Sequence, residues 1–230
     1  LQSEGRNSPA DLLITNDAGR LQRAKAAGVL QPVDSDSLQN AVPEQYRDPD
    51  GHWFGLSIRA RTIVYAKERL SPAQLSRYEA LAEPQWKGRI CVRSSDNIYN
   101  QSLVASMMVA DGTENTQRWV DGLVANLARS PRGGDRDQIK AVAAGLCDVA
   151  LVNTYYLGGM IQSTDQQQQA AAAKVAVFWP NQQDRGTHVN VSGAGVTSAA
   201  PHRENAQRLL EFLVTDPSQQ WYAQINNEYP

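Results

Sequence analysis

Positive charge is not in excess in this sequence, and its absence removes one class of partner. The 230 residues carry 22 Lys and Arg against 24 Asp and Glu, with no basic run to follow a phosphate backbone, so nucleic acid is not an expected partner. No apolar stretch approaches the roughly 18 residues of a membrane helix, and no charged-then-apolar start marks a signal peptide, so the chain is not expected to span a membrane. Cysteine is scarce, with 2 residues, which excludes a disulfide-dense scaffold, and their spacing is not that of a zinc site. The motifs GxSxG, GxxxxGK[ST], HExxH and SxxK are all missing, so no familiar enzyme chemistry is expected. The 3 histidines, His52, His188 and His202, stand far apart in turn-like contexts and read as surface residues.

The hydrophobic content, 41%, is ordinary for a globular chain of this length, enough for one large domain or two lobes. Strands are expected at Asp11 to Thr15, across "WFGLSIRARTIVYAKE", at "RICVRSS", before Tyr155, and at "KVAVFWPNQ" and "THVNVSGAGV". Helical patterns fall between them. A short helix is expected after a Ser71 cap with Pro72 first, and a longer one after Ser95 or Asp96, with Leu103, Val104, Met107 and Met108 recurring at core spacing. Trp119, Leu123 and Leu127 share the face of another, Asp135 caps a helix stopped by Gly145, and a final helix pair divides at Asp216-Pro217. "STDQQQQAAAA" reads as a solvated loop or a frayed helix end. Strands alternating with helices make the class α/β, with crossover helices covering a mostly parallel sheet.

Tyrosine is where chemistry gathers. Open parallel sheets bind ligands beyond the carboxyl ends of their strands, and Tyr99 and the adjacent Tyr155 and Tyr156 all follow such ends. The Cys91-to-Tyr99 and Cys147-to-Tyr155 spacings are equal, so two neighbouring strands would bring three phenols to one rim and two sulfurs to one level. The sulfurs are either buried free thiols or an export-compartment disulfide. Phenols titrate near pH 10 in water, so three together need something to stabilise the phenolate, and a hard trivalent cation such as Fe(III) would do so. The alternative is that Tyr99 packs at a helix start and the pair form an amphipathic wall. Arg132 and Arg136 flank an expected helix start and either hold a small anion or leave Arg136 paired with Asp135 or Asp137. Gly193 and Gly195 in "VSGAG" read as a hinge or turn.

"SPADLLITNDAGRL", "GHWFGLSIRARTIVYAKE", "DNIYNQSL", "GDRDQIKAVAAG", "DVALVNTYYLGG" and "NNEYP" together resemble the ferric-ion-binding proteins that serve bacterial iron ABC transporters. The likeness covers nearly the whole chain, and the tyrosine pair after Asn-Thr is its most specific piece. It implies a two-lobed, type II periplasmic-binding-protein fold, with mixed sheets flanked by helices and lobes joined by two crossing strands. One lobe would comprise residues 1–64 and 190–230, and the other, carrying the ligands, residues 65–189.

The resemblance also assigns roles. Tyr155 and Tyr156 correspond to the family's paired ligands and Tyr99 to the third phenol of its tyrosine-rich branch, while Tyr65 would be a hinge residue. Arg59 or Arg61 would face the cleft. The implied function is periplasmic, or exported and surface-tethered, capture of Fe(III) by a monomer, with or without a synergistic anion, and delivery to a permease without any reaction. The family's opening strand with its first-lobe ligand motif does not precede Leu1, nor do its closing helices follow Pro230, so the chain is expected to be an interior portion of such a protein. Two competing readings are the same scaffold holding a phosphonate or sugar phosphate on Arg132 or Arg136, and an enzyme on a related two-lobed fold.

Overall fold

The computed structural model describes residues 1–230. In chain order it contains β1 (Leu12–Asn16), α1 (Ala18–Ala26), α2 (Asp36–Ala41), β2 (Phe54–Ala66), β3 (Ile90–Cys91), α3 (Ile98–Asp111), α4 (Thr113–Ala125), α5 (Asp135–Ala143), β4 (Val149–Asn153), α6 (Thr154–Ile161), α7 (Gln166–Ala173), β5 (Val175–Phe178), β6 (Val189–Val196), α8 (Arg203–Leu213) and α9 (Asp216–Asn226). The chain divides into two compact units, Leu1–Arg59 with Asn190–Pro230, and Ala60–Val189. The division falls inside β2, five or so residues before the position read from the sequence, because Arg61 to Ala66 already pair with β4 and β5.

In the unit formed by both chain ends, β1 runs antiparallel to β6, which neighbours β2. Phe54, Leu56, Ala194 and Val196 pack with Leu38 of α2 and with Ala206 and Leu210 of α8. Gly193 and Gly195 are neither hinge nor turn. They lie within β6, where a Cβ would come 2.5 Å from the Phe54 carbonyl oxygen and 2.2 Å from that of His52. Only a residue without a side chain lets the backbones approach this closely.

The other unit is a sheet covered on both faces, a direct result of the two-residue period of a strand. Val149 and Leu151 of β4, with Ile63 of β2, face Leu103 and Met107 of α3 and Trp119 and Leu123 of α4. Ala150 and Val152, with Val64, face Ile139 and Val142 of α5, Leu157 and Met160 of α6 and Ala172 of α7. β2 is antiparallel to β4 and β5, while β3 is parallel to β4 with Cys91 opposite Ala150. The sheet is therefore mixed rather than mostly parallel.

Several local expectations are corrected. The segment after Ser71 forms three short 3-10 turns, Pro72–Gln74, Glu79–Ala82 and Pro84–Trp86, in place of one helix; prolines 72 and 84 each restart the chain. Asn97, not Ser95 or Asp96, caps α3 by accepting from the Tyr99 N–H at 3.0 Å. Gly134 caps α5, leaving Asp135 as the first helical residue. Met107 is core but Met108 points outward, since neighbouring helix positions lie about 100° apart. "QQQQAAAA" is a complete helix, capped by Asp165 and anchored by buried Ala172.

Cys91 and Cys147 form a disulfide, with Cα atoms 5.9 Å apart, a separation that suits an S–S link. It closes a loop of 56 residues, for which chain entropy gives about 4 kcal/mol of stabilisation. Reduction, or the Cys91→Ala/Cys147→Ala variant, should lower the denaturant midpoint of the protein by the equivalent of that energy. An unchanged midpoint in unfolding curves with and without reductant would contradict this assignment.

Candidate metal centre

The parallel pair β3 and β4 delivers the tyrosines. After β3 the chain makes a short loop and enters α3 with Tyr99 as its second residue; after β4 it enters α6 at once, with Tyr155 and Tyr156 second and third. Both helix starts lie beyond the carboxyl ends of neighbouring parallel strands, where such sheets present ligand-binding groups. The Tyr155 hydroxyl donates to the Tyr99 hydroxyl at 3.1 Å. The Tyr155 and Tyr156 rings are 4.3 Å apart at 35°, so the two side chains lean together although neighbouring helix positions diverge by about 100°. The three expected tyrosines are brought together. Tyr99 is buried, and the other two are half-buried.

Two cations edge this cluster. The Arg93 guanidinium lies 5.4 Å from the Tyr99 ring centre, and Arg136 lies 5.5 Å from that of Tyr156. Burial pushes the Tyr155 phenol well above its ordinary value, and its hydrogen bonds to Tyr156 and Tyr99 push it further. A neutral Tyr155 is thus the stable form at ordinary pH in the absence of a cation. For Arg93, burial opposes the charged form, but the Asp135 carboxylate and the Tyr156 hydroxyl overcome it and raise the pKa.

Behind the phenols is a buried ion trio. Asp135, fully shielded from solvent, accepts from Arg61 Nη1 at 2.7 Å and from Arg93 Nη1 at 3.2 Å. It also accepts from the Asn153 N–H at 2.8 Å. Arg61 goes on to donate to the Asn153 side chain at 3.1 Å and to that of Asn100 at 2.6 Å. Arg93, Asp135, Asn100 and Asn153 were not singled out as site residues from sequence. The only hint was the flanking of each tyrosine segment by an asparagine, which by itself is ordinary helix-start chemistry.

The remaining arginines are scattered. Arg59 belongs to the unit of the two chain ends, where it donates to Ser192 Oγ at 2.6 Å and stands 4.0 Å from Asp17. Arg132 is exposed, and its carbonyl accepts from Gln138 Nε2 at 2.6 Å. The start of α5 is filled by the chain's own acids, since Asp137 accepts from the Gly134 N–H at 2.7 Å while Asp135 is engaged as described. Arg136 pairs with neither; it lies over Tyr156 and close to Gly159. His52 faces Asp48 at 3.0 Å, and Lys25 already spans Asp48 and Asp50 at 2.7 and 2.6 Å.

Residues 7–230 match the family model described as bacterial extracellular solute-binding protein. The chain belongs to that family. It is 55% identical to iron uptake protein A1 of Synechocystis sp. over its full length, and spans 64% of that relative. It is 29% identical to the Fe(3+)-binding periplasmic protein of Serratia marcescens, over 96% of this chain and 63% of the relative. Among solved structures, the Trichodesmium protein IdiA or FutA in complex with iron and citrate superposes with a TM-score of 0.97 at 52% identity, covering 100% of this chain and 72% of that one. The fold of this chain is therefore that of two-lobed ferric-binding proteins.

A raised phenol pKa favours the fold below the unfolded value of about 10, and that contribution is lost as pH rises beyond it. Ultraviolet titration of the metal-free protein should show late-ionising tyrosines, buried Tyr78 among them, and Tyr155→Phe should remove one of these steps and leave the others. Loss of an early-ionising tyrosine in that variant would contradict the burial argument.

Proposed function

We propose that this chain captures Fe(III) through the phenolates of Tyr99, Tyr155 and Tyr156, as part of a periplasmic solute-binding protein that hands the ion to an ABC transporter permease for iron uptake. The observation that carries this reading is the 3.1 Å separation of the Tyr99 and Tyr155 hydroxyls beside the Tyr156 ring, 4.3 Å from that of Tyr155. Oxygens sharing one hard cation at bond lengths of about 2 Å stand about that far apart. A trivalent ion also supplies the charge that a buried phenol needs to ionise at neutral pH.

Three phenolates neutralise Fe(III), and water, a small anion or further protein groups complete its coordination. Arg136, exposed beside Tyr156, is placed to offset such an anion. No bond is made or broken in the cargo, so the protein acts as a carrier and not as an enzyme. The names of the relatives support iron as the cargo, and the disulfide suits an oxidising compartment outside the cytoplasm.

Ferric titration of the protein should produce the visible absorption of an iron–phenolate complex, bleached by a strong chelator. The Tyr155→Phe/Tyr156→Phe variant should lose the colour and bind Fe(III) at least about 100-fold more weakly. Colour retained in that variant sinks the ligand assignment. A colourless protein that gives a calorimetric signal with a phosphonate or sugar phosphate would point instead to an organic-anion carrier.

A further inference from the structure

We propose that Asp135 is a positioning residue of the tyrosine rim, which with Arg61 fixes the distance between the segment carrying Tyr99 and the segment carrying Tyr155 and Tyr156. The inference rests on the ferric reading above and deepens it. Asp135 touches none of the phenols. Its Oδ2 holds the backbone N–H of Asn153, which caps the helix bearing Tyr155 and Tyr156, and the same oxygen holds Arg61 Nη1. Its Oδ1 holds Arg93, whose guanidinium lies over the Tyr99 ring.

Arg61 completes the linkage. One of its nitrogens, Nη1, reaches the Asn153 side chain, and the other, Nη2, reaches Asn100, the neighbour of Tyr99. Asn100 in turn donates to the carbonyls of Arg93 and Ser94 at 2.9 and 3.2 Å, shaping the loop that leads into α3. One carboxylate and one guanidinium therefore span both helix starts. The carboxylate is also what keeps buried Arg61 and half-buried Arg93 in place: without it the two would repel each other and Arg93 would turn toward solvent, drawing the Tyr99 ring with it. Outer groups of this kind set ligand orientation at metal sites, and their loss typically weakens metal affinity about 10- to 100-fold.

The test uses Asp135→Asn, which keeps the shape and one acceptor but removes the charge, together with Asp135→Glu and Asn100→Ala. Asn100→Ala leaves the ion trio intact and cuts the link from Arg61 to α3, together with the Asn100 bonds to the Arg93 and Ser94 carbonyls. Each protein is checked for folding by circular dichroism and titrated with Fe(III), reading affinity and the energy of the iron–phenolate absorption band. Folded Asp135→Asn should bind about 10- to 100-fold more weakly with a displaced band; Asn100→Ala should shift the band in the same direction by less, and Asp135→Glu should restore part of the wild-type spectrum. A role confined to stability would lower the melting temperature and leave the band unmoved.

Folded Asp135→Asn with the wild-type band and affinity would overturn the proposal. Should Asp135→Asn fail to fold, an unchanged band and affinity in Asn100→Ala would do the same. A wild-type protein that develops no colour would remove the ferric reading itself, whatever the Asp135 variants show.

Discussion

Two parallel strands that end side by side impose the arrangement on which the rest of the site depends. β3 and β4 are in register at Cys91 and Ala150, and each gives way to a helix within a few residues. A parallel pair sends both of its following helices off the same edge, whereas an antiparallel pair would put them at opposite ends. Tyr99 and Tyr155 meet because of this. Burial on both faces of the sheet, with α3 and α4 on one side and α5, α6 and α7 on the other, holds that edge still.

The electrostatics follow from where the edge lies. Phenols at the ends of buried strands lose water and resist ionisation, as the raised pKa of Tyr155 shows. An arginine beside the phenols repels a cation held by them, and Asp135 moderates that effect: it balances part of the charge of Arg61 and Arg93 while holding them by hydrogen bonds. Buried ion groups of this kind are costly to desolvate, and removing one partner typically costs about 3 to 5 kcal/mol. Such a trio adds little to stability over an apolar core; its use lies in fixing one arrangement of the chain.

The sequence showed the larger pattern well and the supporting detail poorly, for physical reasons. Strand and helix alternate strongly enough that Val149 to Asn153 and the tyrosines after it could be placed, and equal cysteine-to-tyrosine spacings raised the shared rim. What those spacings left open, thiols or a bridge, was a matter of distance in space. Asp135 could be seen only as a helix-start acid, because the arginines that reach it come from β2 and from the loop after β3, far away in sequence. Gly193 and Gly195 misled for a similar reason: close approach to His52 and Phe54 leaves the same mark in a sequence as a turn does. Arg59 and Arg61, two residues apart on one strand, end among entirely different partners, a division that the alternation of β2 alone does not assign.

The placement of the disulfide has a bearing on damage. The covalent loop between Cys91 and Cys147 contains α3, α4 and α5, and with them Tyr99, Arg93 and Asp135, while Tyr155 and Tyr156 lie just outside it. A protease that severs a surface turn anywhere inside the loop produces two fragments that remain joined through sulfur. In a compartment rich in peptidases and free of thiol reductants, a nicked molecule therefore keeps its three clustered tyrosines on one connected body.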